Sequence, residues 1–457
     1  MPEMSGIRLA DTHCHLAFDA FASDIDAVVA RSRAAGVGLI IVPGIDLASS
    51  EASLSLARGK PEMHAACGIH PSYEEVGDPA AFARIARLAF HPEVRAVGET
   101  GLELQRVEQP LPLQEESLLR HVSLARALSL PLIVHSRSAE NRVLEMLPAD
   151  PGFPVILHCY TGPGAEALEA ASRGYYIGFA GGLTYRKNEE LRQTAAALPL
   201  DRILVETDAP FMSPEPVRGK RCEPAFVGYT AARMAGIRGI PTAEAGAALF
   251  ENALRAFRLG GHRRPAAIYI LGPRAYVNLT GKCNNDCTFC VRKSCDGLGG
   301  YYLRHGRTDP PAWRILAALG WLDPREFEEL VFCGFGEPTA RPAELREISV
   351  RARDAGWRIR LNTNGLATTM MEPSEARTLL APFHTVSISL NCHDEESYNR
   401  ICRPAAPGSW ERLLEFVAIA LESGARVRLT AVKTEGVDMA ATRRLASKLG
   451  PGLTERG

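Results

Sequence analysis

Two groups of residues in this 457-residue sequence have the types and spacing to do chemistry. The first is dispersed: His13, His15, Glu99, His135, His158 and Asp208. Four imidazoles and two carboxyls make a nitrogen and oxygen ligand set suited to zinc, manganese or magnesium. His13 and His15 stand two apart, so on a strand both side chains point to the same face. Alone, that pair is an ordinary pair of polar residues. Its weight comes from the other members, each of which closes a further predicted strand. Buried without a metal, such a set leaves polar groups unpaired at about 1–3 kcal/mol each. The second group is compact: Cys283, Cys287 and Cys290 share one short loop. Three thiolates so placed can each ligate one iron of a [4Fe–4S] cube and leave the fourth iron open. A structural zinc site normally takes four protein ligands. Cys295 is available as that fourth, so zinc or a closed cluster is the rival reading.

These side chains need strands to carry them. Apolar runs at Leu9–Leu16, Val37–Gly44, Met63–His70, Val94–Leu102, Pro131–Arg137, Pro154–Tyr160, Tyr175–Gly181 and Ile203–Pro210 alternate with amphipathic windows such as Phe21–Ala35, Leu113–Leu128 and Ala165–Arg173. Eight such strands in about 250 residues fit an α/β protein with a closed (β/α)8 TIM barrel, completed by a helix over Thr242–Leu259. Glu99, His135, His158 and Asp208 would then end strands four, five, six and eight, all opening onto the face where such barrels keep their active sites. Gly260-Gly261-His262-Arg263-Arg264-Pro265 reads as a linker. Runs at Ala267–Leu271 and Ala275–Leu279 around Gly272-Pro273 read as a hairpin. Strands near Leu330–Cys333, Arg358–Asn362, Thr385–Leu390 and Arg426–Val432 bring the second half to about five parallel strands, a partial (β/α) barrel or an open sheet. The expected organisation is a first domain over 1–260, a linker and hairpin start over 261–274, and a second domain over 275–457.

Composition narrows the setting. The sequence is 46% hydrophobic and 23% charged, ordinary for globular protein. No window approaches the roughly 20 apolar residues of a membrane span. The opening Met-Pro-Glu-Met-Ser lacks a basic and apolar leader, so a cytoplasmic protein without a membrane partner is expected. In that compartment a disulfide is the wrong chemistry for the clustered cysteines. The net charge of −1 gives no bulk attraction to nucleic acid. Local charge at Arg137, Arg186-Lys187, Arg218, Lys220 and Arg221, all in expected βα loops, could still grip phosphates. The sequence shows no aromatic interleaving for base stacking. It does not specify an oligomeric state.

Asp11-Thr12-His13-Cys14-His15-Leu16, Gly68-Ile69-His70-Pro71, Gly98-Glu99-Thr100-Gly101-Leu102, His135-Ser136-Arg137 and Glu206-Thr207-Asp208-Ala209-Pro210-Phe211 resemble, in order, the motifs of the TatD family of metal-dependent deoxyribonucleases. The resemblance runs from about Ile7 to Leu259. It implies that His13 and His15 hold one metal and that Glu99 bridges to a second held by His135 and His158. Asp208 would bind the first metal or take a proton from the attacking water, and Glu99 and Asp208 would be the catalytic carboxylates. Two such cations lower the pKa of water and clamp the attacked oxygens. His70 and Arg137 are expected to contact substrate. The sequence departs from the family at Thr100 and Glu103, within what is usually Gly-Glu-Ile-Gly-Leu-Asp. It also has Cys222 before Glu223-Pro224, where Asn is common.

The cysteine spacing, with Thr288-Phe289 before Cys290, resembles the radical S-adenosylmethionine (radical SAM) enzymes. Gly334-Phe335-Gly336-Glu337-Pro338 looks like their Gly-Gly-Glu motif, where glycine permits close approach of a ligand. The resemblance implies a [4Fe–4S] cluster on Cys283, Cys287 and Cys290, and cofactor contacts from Gly334, Gly336, Glu337, Asn362 and Ser389. Asn391 to Arg400 and Cys402-Arg403-Pro404 resemble small radical enzymes encoded near TatD proteins. The expected protein is a bifunctional fusion. Its hydrolase would act on phosphodiesters at DNA ends, and its radical SAM domain would draw on an electron donor. The alternatives are hydrolysis of another ester, such as D-aminoacyl-tRNA, and a metal-binding scaffold without turnover.

Overall fold

The computed structural model describes residues 6–456, so the Met-Pro-Glu-Met-Ser opening lies outside the described residues. Among those described, no helix is long and apolar enough to cross a membrane. The chain divides into two compact units, one reaching Arg263 and the other starting at Arg264.

In the first unit β1 (Leu9–Asp11), β2 (Val37–Pro43), β3 (Met63–Cys67), β4 (Val94–Glu103), β5 (Leu132–Arg137), β6 (Val155–Leu157), β7 (Tyr176–Phe179) and β8 (Ile203–Val205) lie in sequential order. Every neighbouring pair is parallel. The seam between β8 and β1 is closed beyond the strand ends, where Thr12 N donates to Val205 O, Asp208 N to His13 O and His15 N to Ala209 O. Three of the expected metal ligands therefore lie on the closure itself. Ala10, Leu39, Ile41, Ile133, Ile156 and Leu204 fill the barrel interior against Ala253, Ala256 and Phe257 at the end of the helix Thr242–Ala256. Local signals set the helix ends. Asp46 and Ser49 form a reciprocal cap on Leu47–Ala57, and Gly239 in left-handed conformation stops Val227–Arg238.

The second unit starts with the expected hairpin, β9 (Ile268–Leu271) and β10 (Arg274–Val277), followed by a small pair, β11 (Gly297–Leu298) and β12 (Tyr301–Tyr302). Then come β13 (Glu329–Phe332), β14 (Ile359–Thr363), β15 (Thr385–Ser389), β16 (Arg426–Val432) and β17 (Leu453–Arg456). The sheet order is β17-β16-β15-β14-β13-β10-β9. Only β9 is antiparallel, so the parallel strands number six rather than the expected five. The additional strand, β17, reads Leu-Thr-Glu-Arg and is mostly exposed. An edge strand of that composition carries no buried-strand pattern to find in sequence.

Candidate metal centre and cysteine loop

Glu99 sits at the middle of the barrel mouth, 2% exposed, with its two carboxylate oxygens facing different histidines. Oε2 lies 3.2 Å from His13 Nε2 and 3.6 Å from His15 Nε2, and Asp208 Oδ1 is 3.4 Å from His15 Nε2. Oε1 lies 2.8 Å from His158 Nε2 and 3.2 Å from His135 Nδ1. The structure thus brings all six expected ligands together. Glu99 does not end its strand as expected, because β4 continues to Glu103. The β4–β5 register shifts between Val97 and Thr100, which re-aims Glu99 into the mouth. Glycines flank it because β5 is too close for a side chain. A Cβ on Gly98 would stand 2.5 Å from Ile133 O, and one on Gly101 2.0 Å from His135 O.

The donor chemistry fits cations. His13 Nε2 and His15 Nε2 are 3.2 Å apart, and His135 Nδ1 and His158 Nε2 are 3.3 Å apart. Each pair can share at most one hydrogen, so lone pairs converge on common points. Three overlapping groups have all ligand atoms within 4.8 Å: His13 with Glu99 and His158, His13 with His15 and Asp208, and His70 with Glu99 and His135. Burial, then the neighbouring His158, pulls His13 down to about 4, which leaves a neutral imidazole able to ligate. Burial opposes charge on Glu99, yet His158, His70 and His13 hold its carboxyl well below the usual range.

Two further glutamates lie behind the ligand rings, and one of them bonds His135. Glu103 Oε2 lies 3.2 Å from His135 Nε2; a carboxylate only accepts, so Nε2 carries the hydrogen and Nδ1 is left to ligate. Glu103 is held in turn by the Gln105 and Arg106 amides. The departure from aspartate at this place therefore keeps a carboxylate on His135. Thr100, the other departure, turns away to His121 at 3.1 Å. Glu206 Oε1 faces His158 Nδ1 at 3.8 Å and accepts from the Cys159 amide. Neither glutamate was given a supporting role in the sequence, although Glu103 was noted as a departure and Glu206 lies in a recognised motif. His70 Nδ1 accepts from the Ser72 amide at 3.2 Å, so its hydrogen sits on Nε2, 3.5 Å from Glu99 Oε1. That hydrogen makes His70 a donor into the cleft.

The centre opens into a cleft of about 290 Å³ whose rim includes Phe18, Tyr73, Arg137, Thr161, Phe211 and Met212. Aromatic side chains thus border the cleft although none interleaves with the basic residues along the sequence. Phe211 is 56% exposed, and Phe18 stacks on His15 with centroids 4.6 Å apart. They come from different βα loops, so no interleaving shows along the chain. Arg137 is exposed on the rim, its Nε donating to Gln105 Oε1 at 2.5 Å. Arg221 is committed elsewhere, to Asp24, Glu223 and the Ala20 carbonyl, and Arg218 pairs with Glu215.

In the second unit the cysteine loop follows β10 at the carboxyl end of the sheet, and Cys283, Cys287 and Cys290 are all half-buried free thiols. The segment Ile401–Ala405 pins it: Thr288 N donates to Ile401 O, Asp286 N to Arg403 O and Ala405 N to Asn284 O. The Cys402 thiol beside Cys287, and beyond it Arg292 and Lys293, hold Cys287 below its ordinary value, which favours thiolate. Burial instead pushes Cys283 up to about 11. Cys295 donates to Gly297 O at 3.1 Å.

Of the expected cofactor contacts, Asn362 is the penultimate residue of β14, with a buried Oδ1 that has no partner, and Ser389 ends β15 half-buried. Gly336 has a local reason to be glycine, since its Cβ would stand 2.3 Å from Thr280 O. Gly334 likewise packs on Asn278. The Glu337 carboxylate accepts from the Thr339 amide and hydroxyl, the Thr363 hydroxyl and the Asn364 amide, tying the turn to β14. Asn364, which was not among the expected contacts, reaches Cys283 Sγ at 3.8 Å and Asn284 Oδ1 at 2.6 Å.

A parallel eight-stranded barrel with one carboxylate between two imidazole sets defines a metal-dependent hydrolase of the TIM-barrel class. Residues 10–258 match the family model of TatD-related DNases, and the chain belongs to that family. Residues 277–446 match the radical SAM superfamily, so the chain joins a TatD hydrolase domain to a radical SAM domain. It is 33% identical over 253 residues to the uncharacterized metal-dependent hydrolase YabD of Bacillus subtilis, covering 55% of this chain and 99% of YabD. It is 36% identical over 236 residues to the 3′-5′ ssDNA/RNA exonuclease TatD of Salmonella typhimurium, covering 50% of this chain and 91% of that protein. The crystal structure of the TatD homologue YJJV from Escherichia coli superposes with TM-score 0.51 at 31% identity, covering 56% of this chain and 99% of YJJV.

Proposed function

We propose that the barrel removes nucleotides from the 3′ end of single-stranded nucleic acid, DNA by preference, using two divalent cations. The observation that carries this reading is the division of Glu99, with Oε2 toward His13 and His15 and Oε1 toward His135 and His158. His13, His15 and Asp208 would hold one cation (zinc, manganese or magnesium), His135 and His158 the other, with Glu99 between. Bound there, the pair lowers the pKa of water and neutralises charge on the attacked phosphoryl group. Asp208 Oδ1 faces this centre beside His15, where it would complete that cation's donors or instead take the proton of the attacking water. His70 donates its Nε2 hydrogen into the cleft, and Arg137 on the rim positions a phosphate. Phe211 and Phe18 offer stacking surfaces for terminal bases. The relative from Salmonella typhimurium acts on such ends, which supports the choice of substrate.

In the second unit Cys283, Cys287 and Cys290 would hold the [4Fe–4S] cluster. When bound, it supplies the electron that cleaves S-adenosylmethionine to methionine and a 5′-deoxyadenosyl radical, replenished by an external one-electron donor. Asn362 Oδ1 and Ser389 lie at strand ends where they can orient that cofactor, and Glu337 holds the neighbouring turn in place.

The test is a substrate panel of single-stranded DNA, RNA and D-aminoacyl-tRNA with each metal, set against Glu99→Ala. Shortening from the 3′ end by the native chain alone supports the reading. Cleavage only of the aminoacyl ester moves the assignment to that substrate, and no cleavage at all favours a scaffold. Anaerobic preparation with reductant and S-adenosylmethionine should yield 5′-deoxyadenosine, and an iron-free, inactive chain overturns the second half.

A further inference from the structure

Cys402-Arg403-Pro404 has no place among the proposed cofactor contacts, yet it lies against the cysteine loop. The bonds on either side of Cys287 run to the residues on either side of Cys402: Asp286 N donates to Arg403 O and Thr288 N to Ile401 O. Asn285 and Pro404 pair antiparallel in the same register. Cys287 and Cys402 therefore stand opposite one another. The Cys402 thiol lies within hydrogen-bonding reach of two sulfurs, Cys287 on one side and Cys392 on the other. Cys402 and Cys392 are fully buried, and Cys287 is half-buried.

A further contact orients Cys402. Asn391 Nδ2 donates to Cys402 Sγ at 3.5 Å. Asn391 is itself fixed to β16, since its Oδ1 accepts from the Val432 amide at 3.3 Å and its own amide donates to Thr430 O at 3.2 Å. A thiol has one hydrogen to give. With Asn391 donating to the Cys402 sulfur, that hydrogen is left for a neighbouring sulfur. An iron-bound sulfur carries more negative charge than a thiol and is the stronger acceptor of the two. The burial of Cys402 leaves water no access to compete for the hydrogen.

We propose that Cys402 is a positioning residue for the cluster ligand Cys287: its S–H donates to the Cys287 sulfur and raises the potential at which the cluster accepts an electron. Hydrogen bonds to the sulfurs are among the factors that set cluster potentials, because they offset the negative charge that reduction adds. The proposal rests on the assignment of the cluster to Cys283, Cys287 and Cys290, and adds to it a residue outside the three ligands.

The experiment uses the full chain with its cluster reconstituted anaerobically, and measures the midpoint potential by redox titration followed by electron paramagnetic resonance. Cys402→Ala and Cys402→Val lack the donor, and Cys402→Ser keeps one. Cys392→Ala removes the other neighbour of Cys402. Both donorless chains should show a more negative potential, with the ratio of reduced to oxidised cluster about threefold lower at a fixed poise, the size of one weak hydrogen bond. Cys402→Ser and Cys392→Ala should stay near the native value. Iron content and far-UV circular dichroism identify a variant that has lost its cluster or its fold, and the remaining donorless variant then decides. An unchanged potential in a folded, cluster-bearing donorless chain overturns the proposal. So does an equal shift in Cys392→Ala, which a general effect of thiol packing would give. Loss of the cluster from both donorless chains would mean that Cys402 retains the cluster rather than tunes it, and overturns the proposal too. A native chain without iron removes the cluster assignment itself, a failure distinct from an unshifted potential.

Discussion

At the scale of the residue, the barrel centre is a problem of which nitrogen faces inward. His135 meets Glu99 through Nδ1 only because Glu103 holds the hydrogen on Nε2. Partners that orient metal ligands are typically worth about 10–100-fold in metal affinity. Glu103→Ala should therefore weaken the second cation by about that factor, while the site built on His13, His15 and Asp208 is unchanged. Metal titration followed by calorimetry reads both sites, and equal loss at both would show that Glu103 does not act through His135. On the rim, Phe211→Ala should weaken single-stranded DNA binding by about 1–3 kcal/mol, the measured range for stacking one base on an aromatic ring. Phe211 is more than half exposed, so the melting temperature should hold. Unchanged binding by fluorescence anisotropy would remove it from the substrate path.

The metal-ligand types were legible in sequence because imidazole and carboxyl groups recurring at strand ends have few other uses. Glu103, Glu206 and the rim aromatics were not, because their roles depend on ring orientation and on loops that meet only in the folded barrel.

At the scale of the element, β4 is the piece on which the site depends. Gly101 has φ +142°, and its Cβ would stand 2.0 Å from a backbone oxygen of β5. Gly101→Ala should cost more than about 1 kcal/mol and disturb the strand that presents Glu99. Urea unfolding with metal titration in parallel would detect both, and native stability in this variant would contradict the close approach. The helix Leu111–Leu128 is fastened to β4 and to the segment after β3 by His121, whose Nδ1 lies 3.1 Å from the Thr100 hydroxyl and whose Nε2 accepts from the Ile69 amide. Burial pulls this histidine down to about 4. The unfolded chain, with an ordinary histidine near 6.5, binds more protons between those values. Stability should thus fall as pH drops from about 6.5 toward 4, and His121→Gln should flatten that part of the urea-midpoint profile. An identical slope in the variant would place the acid sensitivity elsewhere. Strand alternation in the first half was readable because each buried parallel strand is an apolar run. β17 escaped because a mostly exposed Leu-Thr-Glu-Arg edge has no such run.

At the scale of the whole molecule, two compact units carry two unrelated ligand sets. The barrel offers oxygen and imidazole donors and the second unit offers thiols, which differ in softness and in the metals they select. Chelation of divalent ions by EDTA should therefore stop hydrolysis while iron content and 5′-deoxyadenosine formation persist. Exposure of the cluster to air should do the reverse. Loss of both activities on either treatment would show that the two centres depend on one another. The point at which the chain divides, between Arg263 and Arg264, falls in the glycine, basic and proline run from Gly260 to Pro265, which interrupts both apolar patterns. The independence of the two activities was not legible there, since no residue pattern records whether one product feeds another site.

The most direct measurement is the anomalous difference map of crystals of the native chain grown with manganese. Two peaks about 3.5–4 Å apart are expected, one beside Glu99 Oε2 with His13, His15 and Asp208, the other beside Oε1 with His135 and His158. A single peak, or peaks that do not share Glu99, would contradict the bridged pair.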